Sequence, residues 1–194
     1  MAIKSILGIP LQSDRIKFDK DESDLFRAVE YERGPNGSIT YDRNILPNYP
    51  KLEERIKRSV KRYAADAMGV DWDIKIMNSW GIKHLQGDMG QPHSHAQSWI
   101  SGVYYVDVKP DSGDIIFLKE NRNFFNLSHC RDTGHNKDYH YHKPVNGDLI
   151  LFPSYVKHAI DVQSVPNFQR LALAFNVLPN GVVGGNENMD YMYV

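Results

Sequence analysis

Two histidines close together are the first residues whose type and spacing suggest chemistry. His93 and His95 stand in the segment QPHSHAQ, which begins at Gln91. Side chains two positions apart lie on the same face of an extended backbone, so a strand here would place both imidazoles side by side. Two neutral imidazoles supply half of a transition-metal site. Taken alone, the pair fits ordinary surface histidines better than a metal site.

A third histidine strengthens the metal interpretation. His158 follows an apolar segment, Asp148–Phe152, and a Pro-Ser turn. The chain between His95 and His158 is long enough to cross a sheet and return beside the first pair. The sequence therefore predicts a third ligand from a neighbouring strand of the same barrel.

A basic residue heads the last predicted strand. Alternate positions, which share one face of that strand, hold Arg170, Ala172, Ala174 and Asn176. The small neighbours leave space beside the guanidinium, which can hold a ligand carboxylate through two parallel hydrogen bonds. A structural ion pair is the alternative, and it is the commoner role for a single arginine.

Short strands must position these residues, because the second half of the chain is rich in β-branched and aromatic residues separated by turns. The predicted strands are Asp73–Trp80, Trp99–Val108, Asp114–Leu118, Asp148–Phe152, Val156–Val162 and Arg170–Val177. No helical segments alternate with them, which favours a sandwich, barrel or jelly roll over a parallel βαβ sheet.

Helices are predicted only before the strands. In Pro50–Met68 apolar residues recur at spacings of three and four, and Gly69 follows as a stop signal. Ser23–Val29 is predicted as a shorter helix with a capping residue at its start. The basic residues of the longer helix lie opposite its apolar stripe, which indicates a solvated face rather than a nucleic-acid surface.

Composition narrows the class of protein. With 194 residues, 41% hydrophobic and 24% charged, the chain fits one globular domain. A net charge of −1 argues against nucleic-acid binding through bulk charge. No apolar stretch approaches the roughly 18 residues of a membrane span, and the N-terminus does not resemble a signal peptide. The single Cys130 fits a reducing compartment, so we expect a cytoplasmic protein.

An ordered set of motifs resembles a known family. The set comprises His-x-His at 93–95, SGVYY at 101–105, GDLILFP at 147–153, the distal His158 and Arg170. In this order they resemble the 2-oxoglutarate- and Fe(II)-dependent oxygenases, most closely a small branch in marine bacteria and their phages. The resemblance covers about residues 76–178. It implies a mostly β fold with one or two N-terminal helices, a cupin-like double-stranded β-helix or jelly roll with iron at one mouth.

The resemblance also implies roles for individual residues. His93 and His158 match the two histidine ligands of Fe(II). Arg170 matches the partner of the far carboxylate of 2-oxoglutarate, and Tyr105 matches a hydrogen-bond donor to the same group. Asn78 and Asn176 fall on strands that line the cosubstrate cavity in the family.

The implied reaction uses O2 to hydroxylate a substrate that the sequence does not identify, with release of succinate and CO2. A phage-encoded enzyme would act in the host cytoplasm, and a homo-oligomer is compatible with the sequence.

One position departs from the family pattern. His95 stands where the family carries Asp or Glu. This leaves the metal site one negative charge short, which should weaken Fe(II) binding and raise its redox potential. We predict His95 as the third ligand, with Asp88 and Asp161 as alternatives.

The remaining features concern the layout of the chain. We expect a single domain over 1–194, with helical support at about 1–70, a jelly-roll core at about 71–178 and an irregular tail at 179–194. The polar segment 119–145 is predicted as a long loop, either a lid or a structural insertion. Its candidate zinc ligands match no standard spacing; they are Cys130, His135, His140 and His142. His84 is interpreted as a partly buried structural histidine rather than a substrate contact.

Two other functions remain open at this point. A three-histidine dioxygenase that does not use 2-oxoglutarate would explain His95 but would leave Arg170 and Tyr105 without a role. A non-catalytic, cupin-like binding module is the other, since a shared fold does not determine function.

Overall fold

The computed structural model describes residues 8–119, 133, 136–183 and 192–193. It contains two α-helices, α1 (Lys20–Arg27) and α2 (Pro50–Met68). The strands, in chain order, are β1 Gln12–Arg15, β2 Tyr31–Gly34, β3 Gly37–Thr40, β4 Asp73–His84, β5 Gly90–His93, β6 Ile100–Asp107, β7 Ile115–Leu118, β8 Tyr139–His142, β9 Asp148–Pro153, β10 His158–Ile160, β11 Arg170–Asn180, β12 Val182–Val183 and β13 Met192–Tyr193.

The strands form two main sheets in which every strand pairing is antiparallel. The larger sheet has the order β1-β9-β6-β11-β4-β3-β2, and the smaller has the order β5-β10-β7-β8. Apolar side chains from both sheets meet in one core, among them Tyr105, Phe117, Phe152 and Ala172. The predicted mostly β jelly roll is confirmed.

A second core joins the helices to the outer face of the larger sheet. Leu52, Ile56 and Val60 of α2 are fully buried, and they belong to the same apolar cluster as Leu173 and Phe175 of β11. The spacing of three and four predicted this stripe, because such positions recur on one side of a helix.

The two helices are also linked by a buried carboxylate. Glu22 of α1 accepts hydrogen bonds from the backbone amides of Lys51 and Leu52, at 2.9 and 3.1 Å. These are among the amides at a helix N-terminus that have no partner within the helix, and the helix dipole favours a negative charge there. Gly69 ends α2 in the left-handed conformation, at φ 66°, as its sequence position predicted.

The region before residue 70 contributes strands as well as helices, which differs from the predicted helical support. β1 pairs with β9, and the β2–β3 hairpin extends the larger sheet beyond β4. β1 reads QSDR and lies at a sheet edge, so its sequence lacks the apolar alternation that would mark it as a strand.

Two further predicted boundaries differ from the structure. β11 extends to Asn180, and β12 pairs with β13, so strands occupy part of the predicted irregular tail. The predicted loop 119–145 contains β8, which pairs with β7. Among the described residues, no helix is long and apolar enough to cross a membrane.

Candidate active site

Three histidine side chains converge at one end of the jelly roll. His93 ends β5 and lies directly opposite His158, the first residue of β10, in an antiparallel pair. His95 follows β5 by two residues. One potential ligand atom from each ring lies within 4.8 Å of the other two. The structure therefore brings together the three histidines that the sequence predicted as metal ligands.

Backbone contacts orient these rings. Nδ1 of His93 is 2.7 Å from the carbonyl oxygen of Gln91, and Nδ1 of His158 is 3.0 Å from that of Val156. If each Nδ1–H donates to its carbonyl, each Nε2 carries a free lone pair, which is the form that binds a metal. The amide of His95 donates to the carbonyl of Ser154 at 3.0 Å, which ties His95 to the turn before His158.

Burial keeps two of the imidazoles uncharged. Desolvation and, to a smaller extent, the neighbouring His93 lower the pKa of His95 to about 4. The pKa of His158 is also lowered to about 4, mainly because the ring is removed from water. Neutral imidazoles are the protonation state that a metal ion requires.

The carboxylates considered as alternative third ligands lie in other contacts. Both oxygens of Asp88 accept hydrogen bonds of 2.6 Å from Arg33, which also lowers the pKa of that carboxyl. Asp161 is exposed and accepts a hydrogen bond from the amide of Val162. Within the described parts of the chain, the three histidines form the only group of three or more candidate metal ligands.

Arg170 is a buried cation with incomplete partners. Its side chain has an exposed fraction of 0%, and Nε donates to the carbonyl of Gly113 at 3.3 Å. Both terminal nitrogens lack a hydrogen-bond partner. Desolvation lowers the pKa of this guanidinium, because the charged form loses its hydration. An unpaired buried charge is costly, so this position favours an anion beside Arg170.

Tyr105 lies against the same guanidinium. The guanidinium carbon of Arg170 is 5.3 Å from the centroid of the Tyr105 ring, within the range of a cation–π contact. The buried Tyr105 hydroxyl makes no hydrogen bond of good geometry, although Arg170 is close enough to lower its pKa. Burial raises the pKa of this phenol, so the hydroxyl stays protonated and can donate a hydrogen bond to an anion.

A cavity of about 310 Å³ joins the histidines to the arginine. His93, His95, His158 and Arg170 all line it. Its walls are mainly apolar and come from the inner faces of both sheets and from the β2–β3 hairpin; they include Trp80, Ile82, Ile39, Met89 and Ile160. A cavity of this size and lining suits a small ligand held by a few polar groups.

The two predicted asparagines form a polar network next to this cavity. The amide nitrogen of Asn176 donates to the side-chain oxygen of Asn78 at 3.0 Å, and Ser101 donates to Asn176 at 2.7 Å. The hydroxyls of Ser101 and Ser154 are also hydrogen-bonded, at 2.8 Å. The carbonyl of Ser154 in turn accepts the hydrogen bond from the amide of His95. Their role in cosubstrate binding stays a prediction.

The predicted structural histidine His84 also lines the cavity. It is 4% exposed, and its Nδ1 has no hydrogen-bond partner. Alternation along β4 places His84 on the same face as Trp80 and Ile82, a signal that could have assigned it to the cavity.

The weaker zinc hypothesis is only partly covered by the structure. Cys130 and His135 lie outside the described residues. His140 and His142 lie on β8, and Nε2 of His142 is 3.5 Å from a carboxylate oxygen of Asp148.

The comparison that decides the family concerns the part of the chain that builds this site. Residues 78–176, just over half of the chain, match the sequence model described as "Putative 2OG-Fe(II) oxygenase". The chain belongs to the 2OG-Fe(II) oxygenase family. This oxygenase is thus an oxidoreductase of a family that depends on Fe(II), 2-oxoglutarate and O2, as the motif order predicted. The assignment to a marine or phage branch stays a prediction.

Solved structures of this family share the fold of the oxygenase. A 2OG-Fe(II) oxygenase-family oxidoreductase from Burkholderia pseudomallei matches with a TM-score of 0.59 and 14% identity, over 79% of this chain and 74% of that one. HygX from Streptomyces hygroscopicus, with nickel and 2-oxoglutarate bound, gives 0.58 and 14%, over 88% and 83%. A Pseudomonas putida prolyl-4-hydroxylase gives 0.56 and 14%, over 89% and 94%. A comparison with curated protein sequences gives no match.

Proposed function

We propose that this oxygenase hydroxylates a C–H bond of its substrate and converts 2-oxoglutarate and O2 to succinate and CO2. One oxygen atom enters the substrate C–H bond and the other enters succinate. The observation that carries the proposal is the buried guanidinium of Arg170, whose two terminal nitrogens have no partner in a cavity shared with three histidines. An anion-binding group and a metal-binding group in one small cavity fit a cosubstrate that has a carboxylate at its far end.

The residues present fit the metal. His93, His95 and His158 would hold Fe(II) through neutral nitrogen donors, and three protein ligands leave other positions open. Bound Fe(II) supplies the activation of O2 and the oxidative decarboxylation of 2-oxoglutarate.

Arg170 and Tyr105 would bind the far carboxylate of 2-oxoglutarate. The guanidinium offers two parallel donors and the phenol offers a third, all in a buried setting where charge-assisted hydrogen bonds are strong. Together they fix the position of the keto acid relative to the histidines.

The apolar walls would exclude bulk water from the reacting end of the cavity. Trp80 packs near His95, with ring centroids 5.9 Å apart, and Phe152 packs against His158 at 4.8 Å. These rings also limit the movement of the imidazoles, which keeps the donor set in place for the metal.

A three-histidine dioxygenase that does not use 2-oxoglutarate is the second candidate, because His95 replaces the usual carboxylate. That function leaves the terminal nitrogens of Arg170 without a partner, so we favour the 2-oxoglutarate enzyme.

We also propose a cytoplasmic location, because the chain has a single cysteine, which fits a reducing compartment.

Succinate formation tests the proposal. We expect the Fe(II)-loaded protein to convert 2-oxoglutarate to succinate, with no conversion when either Fe(II) or O2 is left out. We also expect 2-oxoglutarate to bind the Fe(II)-loaded protein under anaerobic conditions, seen as the visible absorption band of the iron–keto acid pair. Iron binding without this band and without succinate would contradict the proposal and favour the second candidate.

A further inference from the structure

The imidazole of His84 is a buried polar group of the cavity that the proposed function leaves without a role. Its neighbours across the sheet define its position. In the β4–β11 pair, His84 lies directly opposite Arg170. Residues directly opposite in an antiparallel pair project to the same face, with Cβ atoms about 5 Å apart. The imidazole and the guanidinium therefore stand side by side on the cavity wall.

The β2–β3 hairpin fixes which edge of the ring faces Arg170. A Cβ atom on Gly37 would lie 2.5 Å from Cδ2 of His84 and 2.8 Å from Nε2, so this edge of the ring lies against the hairpin. Nδ1 is on the opposite edge. Because β3 and β11 flank β4 on opposite sides, Nδ1 lies on the side of β11, toward Arg170.

The ring is neutral at physiological pH. Burial and, to a smaller extent, the positive charge of Arg170 lower the pKa of His84 to about 4. A neutral imidazole has one N–H, which can be carried by either ring nitrogen. The Nδ1–H form would donate into the cavity without adding a second positive charge.

The unpartnered groups of this wall match one carboxylate. Four buried polar atoms without a hydrogen bond belong to this wall or pack against it: Nη1 and Nη2 of Arg170 and Nδ1 of His84, whose residues line the cavity, and the hydroxyl of Tyr105, whose ring lies against the guanidinium. A carboxylate offers about four lone-pair sites to donors.

We propose that Nδ1–H of His84 donates a hydrogen bond to the far carboxylate of 2-oxoglutarate, as a fourth donor beside Arg170 and Tyr105. This rests on the proposed use of 2-oxoglutarate and adds to it a residue that selects for a carboxylate at that end. His84 thus contributes to cosubstrate specificity and is not one of the candidate metal ligands.

Three substitutions of His84 test the role of one ring nitrogen. In His84→Asn the amide nitrogen can take the place of Nδ1; in His84→Gln it takes the place of Nε2; in His84→Leu both are lost. Affinity for 2-oxoglutarate is measured by anaerobic titration of the Fe(II)-loaded proteins. We expect His84→Leu and His84→Gln to weaken binding about tenfold or more, as loss of a hydrogen bond to a charged group does, and His84→Asn to stay within about threefold of wild type.

Fe(II) stoichiometry should be unchanged in all three variants. The matched control is His140→Leu, which replaces an exposed histidine on β8. It should leave both the affinity for 2-oxoglutarate and the Fe(II) stoichiometry unchanged. Equal weakening by all three His84 variants would show that the ring acts only in packing and would overturn the proposal. Wild-type affinity in His84→Leu would also overturn it, while leaving the proposed function intact.

A measurement on the wild type covers the case in which the variants do not fold. The Zn(II)-loaded protein with 15N-labelled histidine reports the tautomer of His84 by NMR. We expect 2-oxoglutarate to produce the Nδ1–H form with a hydrogen-bonded proton. The Nε2–H form in the complex would overturn the proposal, and failure of the wild type to bind 2-oxoglutarate in either experiment would overturn the proposed function with it.

Discussion

The guanidinium of Arg170 is fully buried, so a carboxylate that binds it forms an ion pair that bulk water does not screen. Removing one partner of such a pair costs about 2–5 kcal/mol, which is about thirtyfold to several thousandfold in affinity. We predict that Arg170→Ala raises the Kd of 2-oxoglutarate by at least about thirtyfold while Fe(II) stoichiometry is retained. Anaerobic titration of the visible absorption band measures this Kd.

Graded variants separate charge from geometry at Arg170. Arg170→Lys should recover only part of the affinity, because an ammonium lacks the planar pair of donors. Tyr105→Phe should cost less than Arg170→Ala, since it removes a neutral donor. Arg58→Ala is the control: Arg58 is exposed on α2 and pairs with Glu54. Unchanged 2-oxoglutarate affinity in Arg170→Ala would exclude Arg170 as the carboxylate site.

The histidine ligands should be separable from other histidines by metal content. We predict that His158→Ala and His93→Ala lose stoichiometric Fe(II), because each removes one of three protein ligands. His140→Ala should keep it, since His140 is exposed on β8. Iron analysis after anaerobic loading and desalting measures the stoichiometry. Full iron content in His158→Ala would place the metal elsewhere.

The charge of the side chain at position 95 should change the affinity of the site for Fe(II). His95→Asp adds the negative charge that the three-histidine set lacks, so we predict Fe(II) binding at least about tenfold tighter, equivalent to about 1.4 kcal/mol. His95→Asn is the matched neutral control and should bind Fe(II) more weakly than His95→Asp. Competition with a chelator of known affinity gives both constants. Weaker binding by His95→Asp than by wild type would mean that the shorter carboxylate does not reach the metal.

Much of the site could be predicted from the sequence because its residues occur in a fixed order. His158 and Arg170 each stand at the start of an apolar strand, whereas His93 ends β5, whose sequence GQPH has no apolar signal, and was found only through the His-x-His motif. The ion pair between Asp88 and Arg33 could not be predicted, because Arg33 lies on a hairpin with little strand signal. The position of His84 directly opposite Arg170 depends on the register of β4 against β11, which only the folded sheet defines.

At the scale of single elements, close packing between β6 and β11 limits which residues are tolerated. Phe175 lies directly over Gly102, its partner in the β6–β11 pair, and a Cβ atom on Gly102 would fall 2.2 Å from the Phe175 ring. We predict that Gly102→Ala lowers the free energy of unfolding by about 1–3 kcal/mol, the usual cost of overpacking. Urea denaturation measures the change.

The control for this substitution is a glycine with open space around it. Gly8 is exposed and has no atom within 4 Å of its added Cβ, so Gly8→Ala should change the free energy of unfolding little. Equal effects of the two substitutions would mean that the Phe175 ring can move aside without cost.

Element prediction from the sequence succeeded where apolar periodicity was strong. α2 was found with its bounds, and β6, β9 and β11 were found with small shifts at their ends. β1 and the β2–β3 hairpin were missed because they are short and largely polar, and their pairing with distant strands stabilises them more than local propensity does.

For the molecule as a whole, buried neutral histidines make stability depend on pH. The pKa of His84 is about 4 in the folded protein and about 6.5 in an unfolded chain, so between these values the unfolded state binds more protons. Stability is therefore highest above pH 6.5 and falls as the pH drops toward 4. Arg170 and Arg33 oppose protonation of the ring, while Asp88 favours it.

We predict that His84→Asn removes up to about 3 kcal/mol of this pH dependence, the linkage contribution of one such group. The measurement compares the free energy of unfolding in urea at pH 7 and pH 4.5, for wild type, His84→Asn and the exposed-site control His140→Asn. The same pH dependence in all three proteins would show that His84 takes up its proton equally in both states.

The strand order of the larger sheet also sets an order of events during synthesis on the ribosome. β11 lies between β6 and β4, although it follows both of them in the chain by more than sixty positions, and β1 pairs with β9, which follows it by more than 130 positions. Until residues 170–180 have emerged, β4 and β6 have no common partner, and the arginine that begins β11 is missing from the cavity. In the nascent chain β4 and β6 therefore each keep an unpaired edge that is prone to aggregation until residues 170–180 are synthesised. We expect chaperones to bind the chain mainly before that point.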